Sequence, residues 1–194
     1  MRVAIVKYNA GNTASVANAL NRLGVQALIT DEAVALLSAD KVIFPGVGEA
    51  STAMAYLRER RLDEVIRSLK QPVLGVCLGM QLLCASSEEN DTECLGLLPY
   101  KVRKIPTGDL KVPHMGWNQI RDMSGPLFGG ISNDSHLYFV HGFYVECGEH
   151  TTATSDHGVP FSAALSCDNF HAVQFHAEKS GIVGEFILRN FLKL

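Results

Sequence analysis

The sequence predicts an α/β fold, a flavodoxin-like doubly wound open sheet whose parallel core is extended by antiparallel strands from the second half of the chain. Three observations predict it. In the first ~90 residues, short apolar runs alternate four times with segments of helical period, the signature of a parallel sheet covered by helices. After Leu98 the texture changes to strand-like stretches separated by Gly, Asn and Asp turns. The chain has 194 residues, 47% hydrophobic and 19% charged, which suits one domain with a substantial core, taken here as residues 1–194.

Each element follows in order. "VAIVKY" is a buried strand. "TASVANALNRLG" places Val16, Ala19, Leu20 and Leu23 on one helical face and stops at Gly24. "VQALIT" is a second strand, and "DEAVALLSAD" a short helix with Asp31 as its cap. "KVIFPG" is a third strand, ended by proline and glycine. "EASTAMAYLRERRLDEVIRSLK" is a charged helical stretch. "QPVLGV" is the next strand and "LGMQLLCASS" the next helix. The second half reads as strands at "KVRKI", "KVPHMGWNQI", "HLYFVHGFYVEC", "TTATSDHG", "FSAALSCDN" and "FHAVQFHAE". A helix, "GIVGEFILRNFLKL", closes the chain.

Bulk properties exclude several classes. A net charge of −3 gives no basic excess for nucleic acid. "MRVAIVKYNAG" reads as a first strand rather than a signal peptide. No segment reaches the ~18 uninterrupted apolar residues of a membrane span. The cysteines are Cys77, Cys84, Cys94, Cys147 and Cys167. An odd number without a secretion signal predicts free thiols in a reducing cytoplasm.

The chemistry centres on "GVCLG", residues 75–79. Strand, G-x-C-x-G, helix is the order of a nucleophile elbow with cysteine in place of serine. A nucleophile on a sharp strand-to-helix turn has cramped backbone angles, and Gly75 and Gly79 let that turn pack closely. The helix that follows Cys77 offers unpaired N–H groups that favour a thiolate. The amide of Leu78 is placed to receive an oxyanion. Set against this is an ordinary core cysteine in a strand-helix turn.

A thiol nucleophile needs a base, and the base an orienting group. "QFHAE" supplies His176 and Glu178. Strand alternation would send both to one face and Ala177 to the other, so that Glu178 fixes the tautomer or charge of His176. "FPGVG" supplies a second candidate oxyanion donor in the loop Pro45-Gly46-Val47-Gly48. The other histidines have no spacing that forces a metal site, and no C-x-x-C exists to complete a zinc deaminase pattern. No metal or cofactor is expected.

Together, "GVCLGMQ", "PGVG" and "QFHAE" resemble the class I glutamine amidotransferases of the Cys-His-Glu type, over the whole chain. "PHMGWN", "YFVHGFY", "HAEKSG" and "YNAGNTASVANAL" resemble more closely the glutaminase subunits of imidazole glycerol phosphate synthases. The resemblance implies that Cys77 attacks the side-chain amide of L-glutamine, with His176 and Glu178 completing the triad. It implies that Leu78 and Val47 hold the oxyanion, and that Gln81 contacts glutamine. Gly46 and Gly48 would form a mobile loop that completes the hole. Ammonia would pass to a (β/α)8-barrel cyclase subunit of imidazole glycerol phosphate synthase, in a heterodimer. Asn12, Trp117 and Lys179 match interface positions.

The chain departs from the family pattern at Ala177, where "HPE" is usual, at Lys7 and Asn9, and at Gly142-Phe143. Competing readings are the glutaminase of pyridoxal phosphate synthase, which "PHMGWN" disfavours, a silent binding module, which an intact triad disfavours, and a stand-alone cysteine hydrolase.

Overall fold

The computed structural model describes residues 1–108 and 110–194. Its first half runs β1 (Val3–Val6), α1 (Thr13–Arg22), β2 (Ala27–Thr30), α2 (Ala33–Leu37), β3 (Lys41–Gly46), α3 (Ala50–Glu59), α4 (Leu62–Ser68), β4 (Val73–Cys77) and α5 (Leu78–Leu83). The second half adds β5 (Cys84–Ser87), β6 (Thr92–Glu93), β7 (Leu98–Lys104), β8 (His114–Gln119), β9 (His136–His141) and β10 (Phe143–Val145). β11 (Thr151–Asp156), β12 (Pro160–Cys167), β13 (Phe170–Val173) and α6 (Gly181–Lys193) complete it.

The main sheet has seven strands in the order β11-β12-β13-β4-β3-β1-β2. β2, β1, β3, β4 and β13 are parallel, and β12 and β11 are antiparallel to their neighbours. The order 2-1-3-4 with a fifth parallel strand is the flavodoxin-like winding. Alternation along the central strands explains the burial of both faces. Ala4, Val6, Val42 and Phe44 enter one core with residues of α3 and α4; Val3, Ile5, Ile43 and Leu74 enter the other with residues of α1 and α6.

Two expectations are corrected and two are refined. The antiparallel extension is realised by β11 and β12, while β13, also from the second half, joins the parallel core beside β4. The remaining strands form a four-stranded sheet, β10-β7-β5-β6, and a β8-β9 ribbon. The helix expected over "LGMQLLCASS" ends at Leu83, and Cys84–Ser87 pairs with β7 instead. Helix propensity in "CASS" is weak, and a partner strand overrides it. The charged helical stretch is two helices, because Arg61 turns left-handed at φ 56°; neither Gly nor Pro marks that break. The residue preceding α2 is Glu32, without a side-chain cap. Asp31 does not cap it; Thr30 Oγ1 accepts the Glu32 N–H at 3.0 Å.

Candidate active site

Parallel winding gathers the carboxyl ends of the central strands along one edge, where open α/β sheets bind ligands. β1 leads to the Lys7–Asn12 loop, β3 ends in Pro45-Gly46, β4 ends at Cys77, and Gln174–His176 follow β13. Between them lies a cavity of about 350 Å³ lined by Val47, Gly48, Cys77, Gln81, Glu89, His141, Phe143, His176 and Lys179 among others.

Cys77 occupies φ 53°, ψ −110°, a sparsely populated conformation that costs on the order of 1–3 kcal/mol. Packing enforces it. A Cβ on Gly79 would collide with the Phe44 carbonyl, and one on Gly75 would come within 2.8 Å of Leu83 Cδ1. A side chain at Gly79 would push α5 off β3, and one at Gly75 would push α5 off β4. Leu78 is the first residue of α5, so its N–H has no intrahelical partner. The thiol is buried at 6% exposure, and its sulfur lies 3.5 Å from the Val140 carbonyl.

His176 and Glu178 are joined by a 2.8 Å contact from Nδ1 to Oε1, and both are buried. The expected strand alternation does not produce it. β13 ends at Val173, and His176 precedes a 3₁₀ turn over Ala177–Lys179 that brings the carboxylate back under the ring. Glu178 Oε2 is buried without a partner among the described residues, so the imidazole is that carboxylate's main support. Burial opposes a charge on His176, but its interactions with Cys77 and Glu178 outweigh that and raise its pKa well above 6.5. With Nδ1 held by Glu178, Nε2 is the nitrogen left for the sulfur. Ser180 clamps the turn: its Oγ donates to the His176 carbonyl at 2.7 Å and accepts the Tyr138 N–H at 2.9 Å.

The Pro45–Gly48 segment is tied to the β1–α1 loop. The Val47 N–H donates to the Ala10 carbonyl at 2.5 Å, and Tyr8 Oη donates to the Pro45 carbonyl at 2.7 Å. The Val47 amide is thus engaged by the β1–α1 loop. Gly46 is hemmed in by the Tyr8 hydroxyl, Leu78 Cβ and the Gly79 nitrogen. Gly48 sits at φ +104°.

Gln81 lines the cavity, but its amide nitrogen is committed to the Phe143 carbonyl at 3.1 Å and to Gln174 Oε1 at 2.9 Å. Only its oxygen remains for a ligand. Three other placed residues lie outside the triad. Asn12 precedes α1 without a side-chain cap. Trp117 is 57% exposed on β8 and stacks edge-on against Tyr138 at 5.9 Å. Lys179 lies at the cavity wall.

Sequence reasoning missed several residues. Gln174 is fully buried and directs Nε2 to Cys77 Sγ at 3.7 Å. Glu89 lines the cavity, half-buried, with Oε2 accepting the Ala50 N–H at 2.7 Å; burial raises its pKa. His141 Nδ1 donates to the Phe143 carbonyl at 2.8 Å, which leaves Nε2 to accept from His114 Nδ1 at 2.9 Å. Burial holds His114 down at about 4 and His141 at about 3, so both rings are neutral near pH 7. Only the register pairing His114 with His141 reveals this couple. Gln174 does stand within "VQFHAE", where a polar residue in an apolar run was a usable signal.

A sequence model of the family "Glutamine amidotransferase class-I" matches residues 4–194. The chain is 55% identical over 196 residues to "Imidazole glycerol phosphate synthase subunit HisH" of Bacteroides thetaiotaomicron, covering 100% of both. To the HisH subunit of Mannheimia succiniciproducens it is 48% identical over 190 residues, covering 97% of this chain and 98% of the other. Among solved structures, a glutamine amidotransferase superposes with a TM-score of 0.78 at 20% identity, covering 100% of this chain and 98% of the other. PurLQS from Thermotoga maritima gives 0.74 at 16%, covering 99% and 97%. At such identities the structural likeness is one of fold.

Proposed function

The chain belongs to the class-I glutamine amidotransferases and, within them, to the HisH glutaminase subunits of imidazole glycerol phosphate synthase; from that premise we propose how its cavity works and what it serves. The family activity is glutamine hydrolysis in histidine biosynthesis. The observation that carries the residue assignment is the His176–Glu178 pair facing the strained, buried Cys77 in one cavity.

In this reading Cys77 Sγ, its proton passed to His176, attacks the side-chain carbonyl carbon of glutamine. The oxyanion takes the Leu78 N–H and, once the bond to Ala10 breaks, the Val47 N–H. His176 returns the proton to the departing ammonia, leaving a glutamyl thioester. His176 then takes a proton from water, whose oxygen attacks the thioester and releases glutamate. Gln81 offers its oxygen to the substrate, and the Glu89 carboxylate suits an α-ammonium group. Gly48 gives the loop the freedom to reorient, while Gly46, paired with Cys77 at the end of β3, stays fixed.

Ammonia passes to a (β/α)8-barrel cyclase partner in a cytoplasmic heterodimer, docked over Asn12, Trp117 and Lys179. No helix among the described residues is long and apolar enough to cross a membrane. Residues 1–194 act as one amidotransferase domain.

The test is Cys77→Ser in the presence of the cyclase partner. Glutamine-dependent synthesis is lost while added ammonium still supports the partner's reaction. Glutamate release persisting in the variant would remove Cys77 from the reaction.

A further inference from the structure

We propose that Gln174 is a further catalytic residue, whose carboxamide N–H donates to the Cys77 sulfur and stabilises it as a thiolate. This rests on the assignment of Cys77 as nucleophile.

The geometry fixes which end of Gln174 meets the sulfur. A main-chain carbonyl can only accept, and that of Phe143 accepts from Gln81 Nε2 at 3.1 Å and from His141 Nδ1 at 2.8 Å. The nitrogen end of Gln81 is therefore set by the backbone. Its other contact, 2.9 Å to Gln174, must be to an oxygen. The nitrogen of Gln174 is then the end that lies 3.7 Å from Cys77 Sγ. An amide that could otherwise be flipped has one orientation, read outward from Phe143.

The placement adds to what His176 supplies, because its donor does not come and go with a proton. An imidazolium beside the sulfur disappears when its proton goes to ammonia. A carboxamide donor is permanent and uncharged. In deacylation, water adds to the thioester and its proton goes to His176; the C–S bond breaks with its electron pair going to sulfur. Gln174 donates to the sulfur as that negative charge forms. Keeping a fully buried amide there, rather than an apolar side chain, carries a desolvation cost that its bonds to Gln81 and Cys77 offset.

The experiment reads the thiolate directly, in the intact chain. Alkylation of Cys77 by iodoacetamide is followed against pH by peptide-resolved mass spectrometry, which separates it from the other cysteines. In Gln174→Met the midpoint rises by about one pH unit, and reactivity at neutral pH falls roughly tenfold, as loss of a hydrogen bond to a charged group requires. The kcat falls with little change in KM. In the unmodified protein, the Gln174 side-chain N–H resonance moves with the same midpoint as Cys77 alkylation, and that movement is absent in Cys77→Ser. A resonance indifferent to Cys77 ionisation, or an unchanged midpoint in folded Gln174→Met, overturns the proposal. Glutamine hydrolysis surviving in Cys77→Ser would instead bring down the nucleophile assignment itself.

Discussion

The main-chain N–H of Val47 donates to the carbonyl of Ala10 across 2.5 Å, so an amide suited to an oxyanion is spent within the protein. The β1–α1 loop that supplies Ala10 also supplies the Tyr8 hydroxyl bound to Pro45. It reaches Asn12, at the proposed partner face. On the proposed assignment of Val47 to the oxyanion, hydrolysis by the isolated chain is expected to stay slow while that bond holds.

Removing the Tyr8 hydroxyl loosens that hold. Tyr8→Phe is expected to cost about 1 kcal/mol of stability in urea unfolding, since a buried hydrogen bond is lost. It should also raise glutamate release by the isolated chain several-fold. A loss of stability with no gain in basal turnover would dissociate the loop anchor from the activity.

Trp117 is more than half exposed, so truncating it leaves little cavity behind. Trp117→Ala should change the chain's own stability by no more than about 0.5 kcal/mol. Binding to the cyclase should weaken at least roughly tenfold, as for a central aromatic anchor. Calorimetric titration giving an unaltered dissociation constant would place the docking surface elsewhere.

Buried neutral histidines make the fold sensitive to acid. The unfolded chain takes up protons on His114 and His141 as pH falls below 6.5, whereas the folded chain holds them off until about 4 and about 3. Stability therefore declines as pH drops through that window. His176 acts in the opposite sense: its raised pKa contributes stability that is complete below 6.5 and is lost at alkaline pH. His114→Gln should flatten the acid decline, so that its deficit against the parent chain shrinks between about pH 7 and about pH 5. Parallel melting-temperature curves for the two proteins would contradict this.

Ala177 opens the 3₁₀ turn after His176, whose φ −90° and ψ 92° are extended and compatible with a following proline. The first position of a helical turn needs no N–H. Ala177→Pro should fold, keep its activity, and gain up to about 1 kcal/mol through the less flexible unfolded chain. Denaturant midpoints and glutamate release measure both; a clear loss of stability would mean the ring does not fit its buried site.

Much of this was legible because each local signal carried its own physics. The apolar periods marked β1, α1, β3 and β4, and the glycines around Cys77 marked the crowded turn. What escaped needed contacts between distant segments. "HLYFVHGFYVEC" reads as one strand, yet it breaks at Gly142 and serves two sheets. That break puts Val140, His141 and Phe143 in the cavity wall with Cys77. Arg61 entered a left-handed turn with no Gly or Pro to announce it. Gln174 sat in plain view in an apolar run, but its partners lie 93 and 97 positions away.

The crowding beneath Gly79 sets where this enzyme can change. Its floor is backbone against backbone, with the Phe44 carbonyl standing where a methyl would go. No side chain can be added there without lifting α5 off the sheet. Gly142, in the cavity wall, would meet nothing within 4 Å if it bore a side chain. A side chain can therefore be added to the cavity wall at Gly142, in a strand break that the central sheet does not depend on.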